Sequence, residues 1–343
     1  MGRLVYSSSL RSGDGLLPWR HPTTPSQNLD FRMLRQTFLW LSHQQGIFRF
    51  VRHNGLARKF AHRFVAGETI DDAIVAVKAL NAQNISASLD LLGESVSNAA
   101  EAKATADEYV QLLDRIAHDG VNANVSVKLT AMGQDISDQL CIENISRVLD
   151  RAKTHGTFVR LDMEGSPYTE RTLQLFEKHL FPAYPEHVGV VLQSYLRRTL
   201  DDVAKAVDMQ CRVRLCKGAY KEPPTVAFPD KRDVDANYVT CMKRLMSSGR
   251  YPGLATHDET IINEAKRYAA EQGIAPDRYE FQMLYGVRRD LQERLVRDGY
   301  RMRVYVPYGT QWYPYLMRRL AERPANLAFM TGSIVKEFVS SRR

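Results

Sequence analysis

Polar and ionisable side chains recur near the carboxyl ends of seven short apolar segments in this chain. A single buried polar residue is usually a satisfied structural partner. Seven of them at the same end of successive segments indicate a pocket lined for chemistry, because burying such groups without a use is costly. The residues at these ends include Lys128, Asp162, Gln193, Arg214, Lys217, Thr256, His257 and Tyr305.

The charges in this set favour an anionic ligand. Lys128, Arg214 and Lys217 are cationic, and Arg318 and Arg319 add two guanidiniums if the last helix covers the same region. Such groups bind carboxylates or phosphates. The sequence has no His-Glu-x-x-His, Gly-x-x-x-x-Gly-Lys or Gly-x-Ser-x-Gly motif, so we predict no metal and leave the reaction open at this point.

These segments alternate with amphipathic helical ones. Helix signals include Thr69 with Asp72 and Thr199 with Asp202, both read as capping boxes. Ser166 before Pro167 predicts another helix start. Gly273 and Gly299 stand where helices end, as C-cap glycines do. The predicted strands cover residues 85–92, 123–130, 157–164, 188–195, 212–218, 253–257, 279–284 and 301–307.

Eight βα units over roughly 250 residues match the size of a (βα)8 TIM-type barrel of the α/β class. The alternative is a doubly wound open sheet, which shows the same alternation. No Gly-x-Gly-x-x-Gly follows any predicted strand, and the strand number is eight, so the barrel is favoured. The predicted organisation is a poorly ordered arm (1–30), N-terminal helices (31–82), the barrel (83–335) and a C-terminal tail (336–343).

Composition narrows the class of protein. The 343 residues are 44% hydrophobic and 25% charged, as in ordinary globular proteins. The formal charge of +8 is scattered among helices without interleaved aromatics, so we predict no nucleic-acid partner. Four cysteines without metal spacing indicate reduced thiols and a cytoplasmic protein. The Arg-rich, acid-poor beginning keeps a targeting segment open, and the positive charge keeps a peripheral contact with the inner face of the plasma membrane open.

Six motifs in this order along the chain resemble the proline dehydrogenase family, in its short monofunctional bacterial form. They are SVKL at 126–129, RLCKGAY at 214–220, ATH at 255–257, EFQML at 280–284, YVPYG at 305–309 and YLMRRLAERPAN at 315–326. The resemblance implies FAD-dependent oxidation of L-proline to 1-pyrroline-5-carboxylate, the first step of proline catabolism. It implies hydride transfer from proline C5 to flavin N5, with electrons passed to a quinone.

On the substrate side, the resemblance implies that Arg318 and Arg319 clamp the proline carboxylate and that Lys128 completes the cage. Two adjacent guanidiniums can fork onto one carboxylate, which a lysine alone cannot do. Glu322 is implied to pair with Lys128 and gate the site. Leu284, Tyr305 and Tyr315 are implied walls around the ring, and Asp162 is an implied active-site acid that orients its neighbours.

On the cofactor side, the residues that match flavin contacts are Gln193, Arg214, Lys217, Ala219, Tyr220, Thr256 and His257. Lys217 and His257 match pyrophosphate ligands, whereas Gln193 and Arg214 match contacts to the ring. Lys221 stands where the large bifunctional forms carry an aromatic residue, which leaves the adenine contacts open.

Two other functions stay open. Hydroxyproline is the alternative substrate, although Tyr305 is bulky where an added hydroxyl would need space. A Schiff-base aldolase on the same barrel would use Lys128 as its nucleophile. A non-catalytic binding barrel is a third and weaker reading, because ionisable groups clustered at strand ends usually indicate catalysis. The oligomeric state does not follow from the sequence.

Overall fold

Eight parallel strands close into a barrel in the order β1 to β8. The computed structural model describes residues 62–93 and 96–322, with the side chains of residues 318–322 outside that description. The last strand pairs with the first, which closes the cylinder. The strands are β1 (Ser86–Leu91), β2 (Ala123–Val127), β3 (Val159–Leu161), β4 (Val188–Gln193), β5 (Arg212–Cys216), β6 (Gly253–Ala255), β7 (Glu280–Leu284) and β8 (Met302–Tyr308).

A helix precedes β1, and a helix follows each strand. In chain order they are α1 (Ile70–Asn81), α2 (Ala99–His118), α3 (Asp138–Thr154), α4 (Ser166–Leu175), α5 (Thr199–Asp208), α6 (Lys231–Ser248), α7 (Glu259–Gln272), α8 (Arg289–Arg297) and α9 (Trp312–Glu322). A π-helical turn (Phe176–Leu180) and a short helical turn (Phe181–Ala183) continue α4.

The predicted barrel is confirmed, and all eight predicted strands are present. Several of them end earlier than predicted. The third was predicted over 157–164, but the strand covers Val159–Leu161. Some predicted site residues, such as Lys128 and Asp162, directly follow a strand, whereas others, such as Arg214 and Tyr305, lie within one.

Alternation along the strands separates an apolar outside from a polar inside. Val125 and Val127 are fully buried beneath the helices that surround the barrel. Ser126, between them, faces the interior, where its Oγ lies 3.0 Å from the Ser88 Oγ of β1. Many barrels of this type fill their interior with branched aliphatic residues. Here the interior is largely polar, which makes the hydrogen bonds inside it decisive.

The helix starts follow the predicted signals in part. Thr69 and Asp72 form a capping box before α1, as predicted. The second predicted capping box is wrong. The Thr199 hydroxyl donates to the Gln193 carbonyl, and the Asp202 carboxylate instead accepts from the Arg198 guanidinium at 2.8 and 2.9 Å. A charged fork satisfies that carboxylate better than one backbone N–H does.

Two smaller predictions concern single residues. Ser166 was predicted as an N-cap, but Gly165 occupies the N-cap position of α4 and Ser166 is the first helical residue. Gly273 ends α7 in the left-handed conformation, at φ 64°, as predicted. The predicted arm (1–30), most of the predicted N-terminal helices and the predicted tail (336–343) lie outside the described residues. Within the described ranges, no helix is long and apolar enough to cross a membrane.

Candidate active site

Arg214 occupies the centre of the barrel and connects four strands. Its Nη1 donates to the Asp162 carboxylate at 2.7 Å and to the Ser126 hydroxyl at 3.1 Å. Its Nη2 donates to the Ser88 hydroxyl at 3.1 Å, and its Nε donates to Gln282 Oε1 at 2.5 Å. Only the planar fork of an arginine can make all these bonds at once, so the barrel holds this guanidinium in one orientation.

Tyr305 completes the arrangement around Asp162. Its hydroxyl donates to Asp162 Oδ2 at 2.8 Å, and its ring lies 5.3 Å from the Arg214 guanidinium carbon. Burial and the nearby Asp162 raise the pKa of Tyr305 well above its usual value. The phenol is therefore a neutral donor, and both carboxylate oxygens of Asp162 are occupied.

Lys128 forms an ion pair with Asp90 at 2.8 Å, and the two side chains are only 12% and 1% exposed. Burial raises the pKa of Asp90, and the attraction of Lys128 opposes that rise. Asp90 was not among the predicted site residues, because the prediction covered the polar ends of the second to eighth strands only. It stands at the same position of the first strand, paired in register with Ser126, so the same pattern would have found it.

A buried ion pair lies beneath Arg214. Gln282 accepts from Arg214 and donates through Nε2 to Glu280 at 2.6 Å. Glu280 in turn accepts from Arg303 at 2.8 Å. Burial alone would raise the pKa of Glu280, but the Arg303 charge and the hydrogen bonds outweigh it and leave the pKa lowered. Because the Glu280 carboxylate can only accept, it holds the Gln282 amide with its oxygen toward Arg214.

Gln193 lies at the end of β4 and is nearly fully buried. Its Nε2 donates to the Glu164 backbone carbonyl at 3.0 Å. The Glu164 carboxylate accepts from the Thr130 hydroxyl at 2.7 Å. These bonds connect Gln193 at the end of β4 to the loops that follow β3 and β2.

Lys217 lies between two carboxylates. Its Nζ is 2.6 Å from Asp235 and 2.9 Å from Asp258. Burial raises the pKa of Asp258, but the hydrogen bond and charge of Lys217 outweigh this and lower it overall. Asp258 also caps α7 and accepts from the Thr260 N–H. Neither carboxylate was predicted, and Asp258 follows the predicted Thr256 and His257 directly.

His257 was predicted as a pyrophosphate ligand. In the structure, its Nε2 accepts from the backbone N–H of Leu284 at 3.0 Å. A ring nitrogen that accepts carries no proton, so the imidazole is neutral with its proton on Nδ1. His257 therefore connects the end of β6 to β7.

The remaining predicted residues lie at the same end of the barrel or beyond the described side chains. Tyr315 is 7% exposed on α9. Ala219 and Tyr220 lie in the loop between β5 and α6. The backbone of α9 includes Arg318, Arg319 and Glu322, whose side chains are outside the description, so the clamp and the gate remain predictions.

The donor set fits an anionic flavin nucleotide. Arg214 and Lys217 supply positive charge, which carboxylates of the protein balance in this structure. Gly218, between strand and loop, has φ 108°, and a Cβ there would overlap the Tyr195 ring. The backbone thus passes close to the ring directly beside Lys217, where only glycine allows the approach.

Fold and site together define a (βα)8-barrel enzyme whose interior is built around a fixed arginine. The proline dehydrogenase family model matches residues 73–332. A proline dehydrogenase of Deinococcus radiodurans is 46% identical over 279 residues, covering 80% of this chain and 90% of that protein. Proline dehydrogenase 1 of Bacillus subtilis (strain 168) is 43% identical over 307 residues, covering 89% of this chain and 100% of that protein. The chain belongs to the proline dehydrogenase family, a family of oxidoreductases.

Solved structures agree with this assignment. The crystal structure of proline utilization A from Bdellovibrio bacteriovorus inactivated by N-propargylglycine superposes with a TM-score of 0.76 at 27% identity. The match covers 91% of this chain and 38% of that one. The resemblance inferred from six motifs is therefore confirmed at the level of the family and the barrel.

Proposed function

We propose that this protein oxidises L-proline to 1-pyrroline-5-carboxylate with FAD, as the first step of proline catabolism. The observation that carries the proposal is the Arg214–Asp162–Tyr305 arrangement inside a barrel of this family. When bound, FAD supplies the acceptor for the hydride that leaves proline C5. The protein's own contribution is to hold the substrate in place.

Asp162 is a positioning group rather than a base in this scheme. One of its oxygens accepts from Arg214 and the other from Tyr305. A carboxylate whose two oxygens both accept hydrogen bonds is held in one orientation and in turn orients its donors. The amine proton of proline is released to solvent in this proposal, since it assigns no side chain among the described residues as the base.

The substrate carboxylate is proposed to bind Arg318 and Arg319 of α9, together with Lys128. Lys128 is held from beneath by Asp90, which fixes the ammonium at the end of β2. If Glu322 forms the gate, Lys128 would pair with both Glu322 and Asp90. Leu284, Tyr305 and Tyr315 are the proposed walls around the pyrrolidine ring.

For the cofactor, we propose that Arg214 and Gln193 contact the flavin ring, and that Lys217 and His257 bind the pyrophosphate. Ala219, Tyr220 and Thr256 complete the proposed contacts. Binding of pyrophosphate beside Lys217 would take over part of the charge that Asp235 and Asp258 now balance. A quinone is the proposed electron acceptor. A cytoplasmic location with peripheral contact at the inner face of the plasma membrane is the proposed setting.

The visible spectrum of the purified protein tests this function. We expect flavin bands that bleach when L-proline is added without oxygen. Colourless protein that gains no flavin bands when FAD is supplied would contradict the proposal. So would flavin bands that proline leaves unchanged.

Substrate choice is tested by comparing proline with hydroxyproline. Tyr305 is held rigidly by Asp162, so its ring cannot move aside for an added hydroxyl. We expect kcat/KM to favour proline by at least about tenfold. Tyr305→Ala should reduce that preference, with Tyr313→Phe as the matched control. An unchanged ratio in Tyr305→Ala would show that the discrimination lies elsewhere.

The aldolase alternative is disfavoured by one contact. A Schiff-base nucleophile must be a neutral amine, and Lys128 forms an ion pair with the buried Asp90.

A further inference from the structure

Helix α4 begins without a cap of its own. Its N-cap is Gly165, which has no side chain to accept a backbone N–H. The cap comes instead from another loop. Glu222 Oε1 accepts the Ser166 backbone N–H at 2.7 Å, and Glu222 Oε2 accepts the Ser166 hydroxyl. A carboxylate at this place also meets the positive end of the helix dipole, which strengthens the contact.

Glu222 lies in the loop between β5 and α6, 56 residues away from Ser166 along the chain. The same carboxylate is within reach of the Tyr195 hydroxyl, which donates to Oε1 at 3.4 Å. Glu222 is therefore the point at which this loop is attached to the loop that follows β3 and to the loop that follows β4.

The loop has a second attachment on its other side. The Lys217 carbonyl accepts from the Tyr195 N–H at 2.9 Å. Gly218 follows at φ 108° and lies against the Tyr195 ring. Residues 218–221 are thus held between Lys217, which is bonded to Tyr195, Asp235 and Asp258, and Glu222, which is bonded to the start of α4.

The segment between these attachments contains Ala219 and Tyr220, two of the proposed cofactor contacts. Lys221, beside them, is exposed. Beyond Glu222, the loop is next attached at Pro224, whose carbonyl accepts from Arg197 Nε at 2.9 Å. Without Glu222, the segment would lose the attachment nearest to Tyr220 on that side. Its freedom would increase in the absence of ligand, and a cofactor would have to order it at the expense of affinity.

We propose that Glu222 is a positioning residue for the cofactor: by capping α4 from outside, it holds the loop that contains Ala219 and Tyr220 in the conformation that binds FAD. This inference rests on the proposed function. It assigns a role to a residue pair, Glu222 and Ser166, that contacts the cofactor only through the loop.

The test is FAD binding to apoprotein, measured by the quenching of flavin fluorescence. Glu222→Ala should raise the Kd for FAD about 10- to 100-fold, because it removes both acceptors and the charge at the helix end. Glu222→Gln keeps one acceptor and should lie between Glu222→Ala and wild type. Glu186→Ala is the matched control, since Glu186 is an exposed carboxylate paired with Arg250. It should leave the Kd unchanged.

A second measurement reads the loop without the cofactor. Lys221 offers trypsin a cleavage site inside the loop, and Ser166→Ala loosens the attachment without changing the sequence around that site. We expect apoprotein with Ser166→Ala to be cut after Lys221 faster than wild type. Saturating FAD should slow the cleavage of both proteins. The thermal midpoints of the apoproteins show whether a general loss of stability explains the change.

The outcomes separate the two proposals. If wild-type apoprotein binds no FAD, the proposed function fails and this inference fails with it. If wild type binds FAD and Glu222→Ala binds it equally well, only the role of Glu222 is overturned. Equal cleavage after Lys221 in Ser166→Ala and wild type would also overturn it, and so would a higher Kd in Glu222→Ala explained entirely by a lower thermal midpoint.

Discussion

Single side chains inside this barrel are held by charge as much as by packing. Arg214 balances its charge against Asp162 and directs three further donors at neutral oxygens of Ser88, Ser126 and Gln282. A buried guanidinium is costly unless each donor has a partner. The residues around it are therefore fixed by their chemistry, and small changes in them should have measurable effects.

The ion pair of Lys128 and Asp90 gives one prediction at this scale. Asp90→Asn should lower the free energy of unfolding by about 3 kcal/mol, because it leaves a buried ammonium without its carboxylate. Lys128→Met in the Asp90→Asn background should restore part of that loss. Urea unfolding of the two single variants and the double variant measures the coupling. Strictly additive losses would mean that the pair contributes nothing as a pair.

At the scale of elements, the site is assembled from loops that support one another. Asp258 caps α7 while it holds Lys217, and Glu222 caps α4 while it holds its own loop. In both cases a helix end and a proposed cofactor residue depend on the same carboxylate. The stability of the helix start and the geometry of the site are thus coupled.

Gly218 provides the prediction for this scale. Gly218→Ala should lower the free energy of unfolding by roughly 2–3 kcal/mol, because φ is 108° and the added Cβ would overlap the Tyr195 ring. Gly120→Ala is the matched control, since Gly120 also has a positive φ, 61°, but nothing lies near its Cβ position. It should cost only about 1 kcal/mol. Urea unfolding measures both, and equal losses would mean that the contact with Tyr195 is unimportant.

For the whole molecule, the barrel and its helices bury several phenols away from water. Burial raises the pKa of Tyr109, Tyr238, Tyr305 and Tyr308 above the usual value. These groups stay protonated in the folded state at a pH where the unfolded chain releases their protons. Stability from this source is complete below about pH 10 and is lost as the pH rises further.

We therefore expect the urea midpoint to fall steeply between about pH 10 and 11. Each such phenol contributes up to about 1.4 kcal/mol per pH unit. Tyr308→Phe is the informative variant, because the Tyr308 hydroxyl is buried without a hydrogen-bond partner among the described residues. Tyr308→Phe should reduce the pH slope of the free energy of unfolding by the contribution of one phenol. The free energy of unfolding at neutral pH should be unchanged or higher. An equal slope in variant and wild type would contradict this account.

The sequence by itself determined the barrel and that the site lies at its carboxyl end. Apolar segments of strand length alternating with helical ones dictate parallel pairing, and a parallel sheet brings all its carboxyl ends together. Lys128, Asp162, Arg214 and Tyr305 could therefore be assigned to one site from their positions in their own strands. The family motifs then added FAD and proline as expectations.

The tertiary structure decided which of these groups touch, and in what state. No pattern along the chain shows that Asp90 pairs with Lys128 of the neighbouring strand's end. The sequence pattern also does not show that His257 accepts a hydrogen bond from the Leu284 N–H and is neutral, or that Glu222 caps a distant helix. Strand periodicity is a local property, because each residue's face depends on its neighbours in the chain. The partner of a buried charge depends on distances across the barrel, which only the closed fold sets.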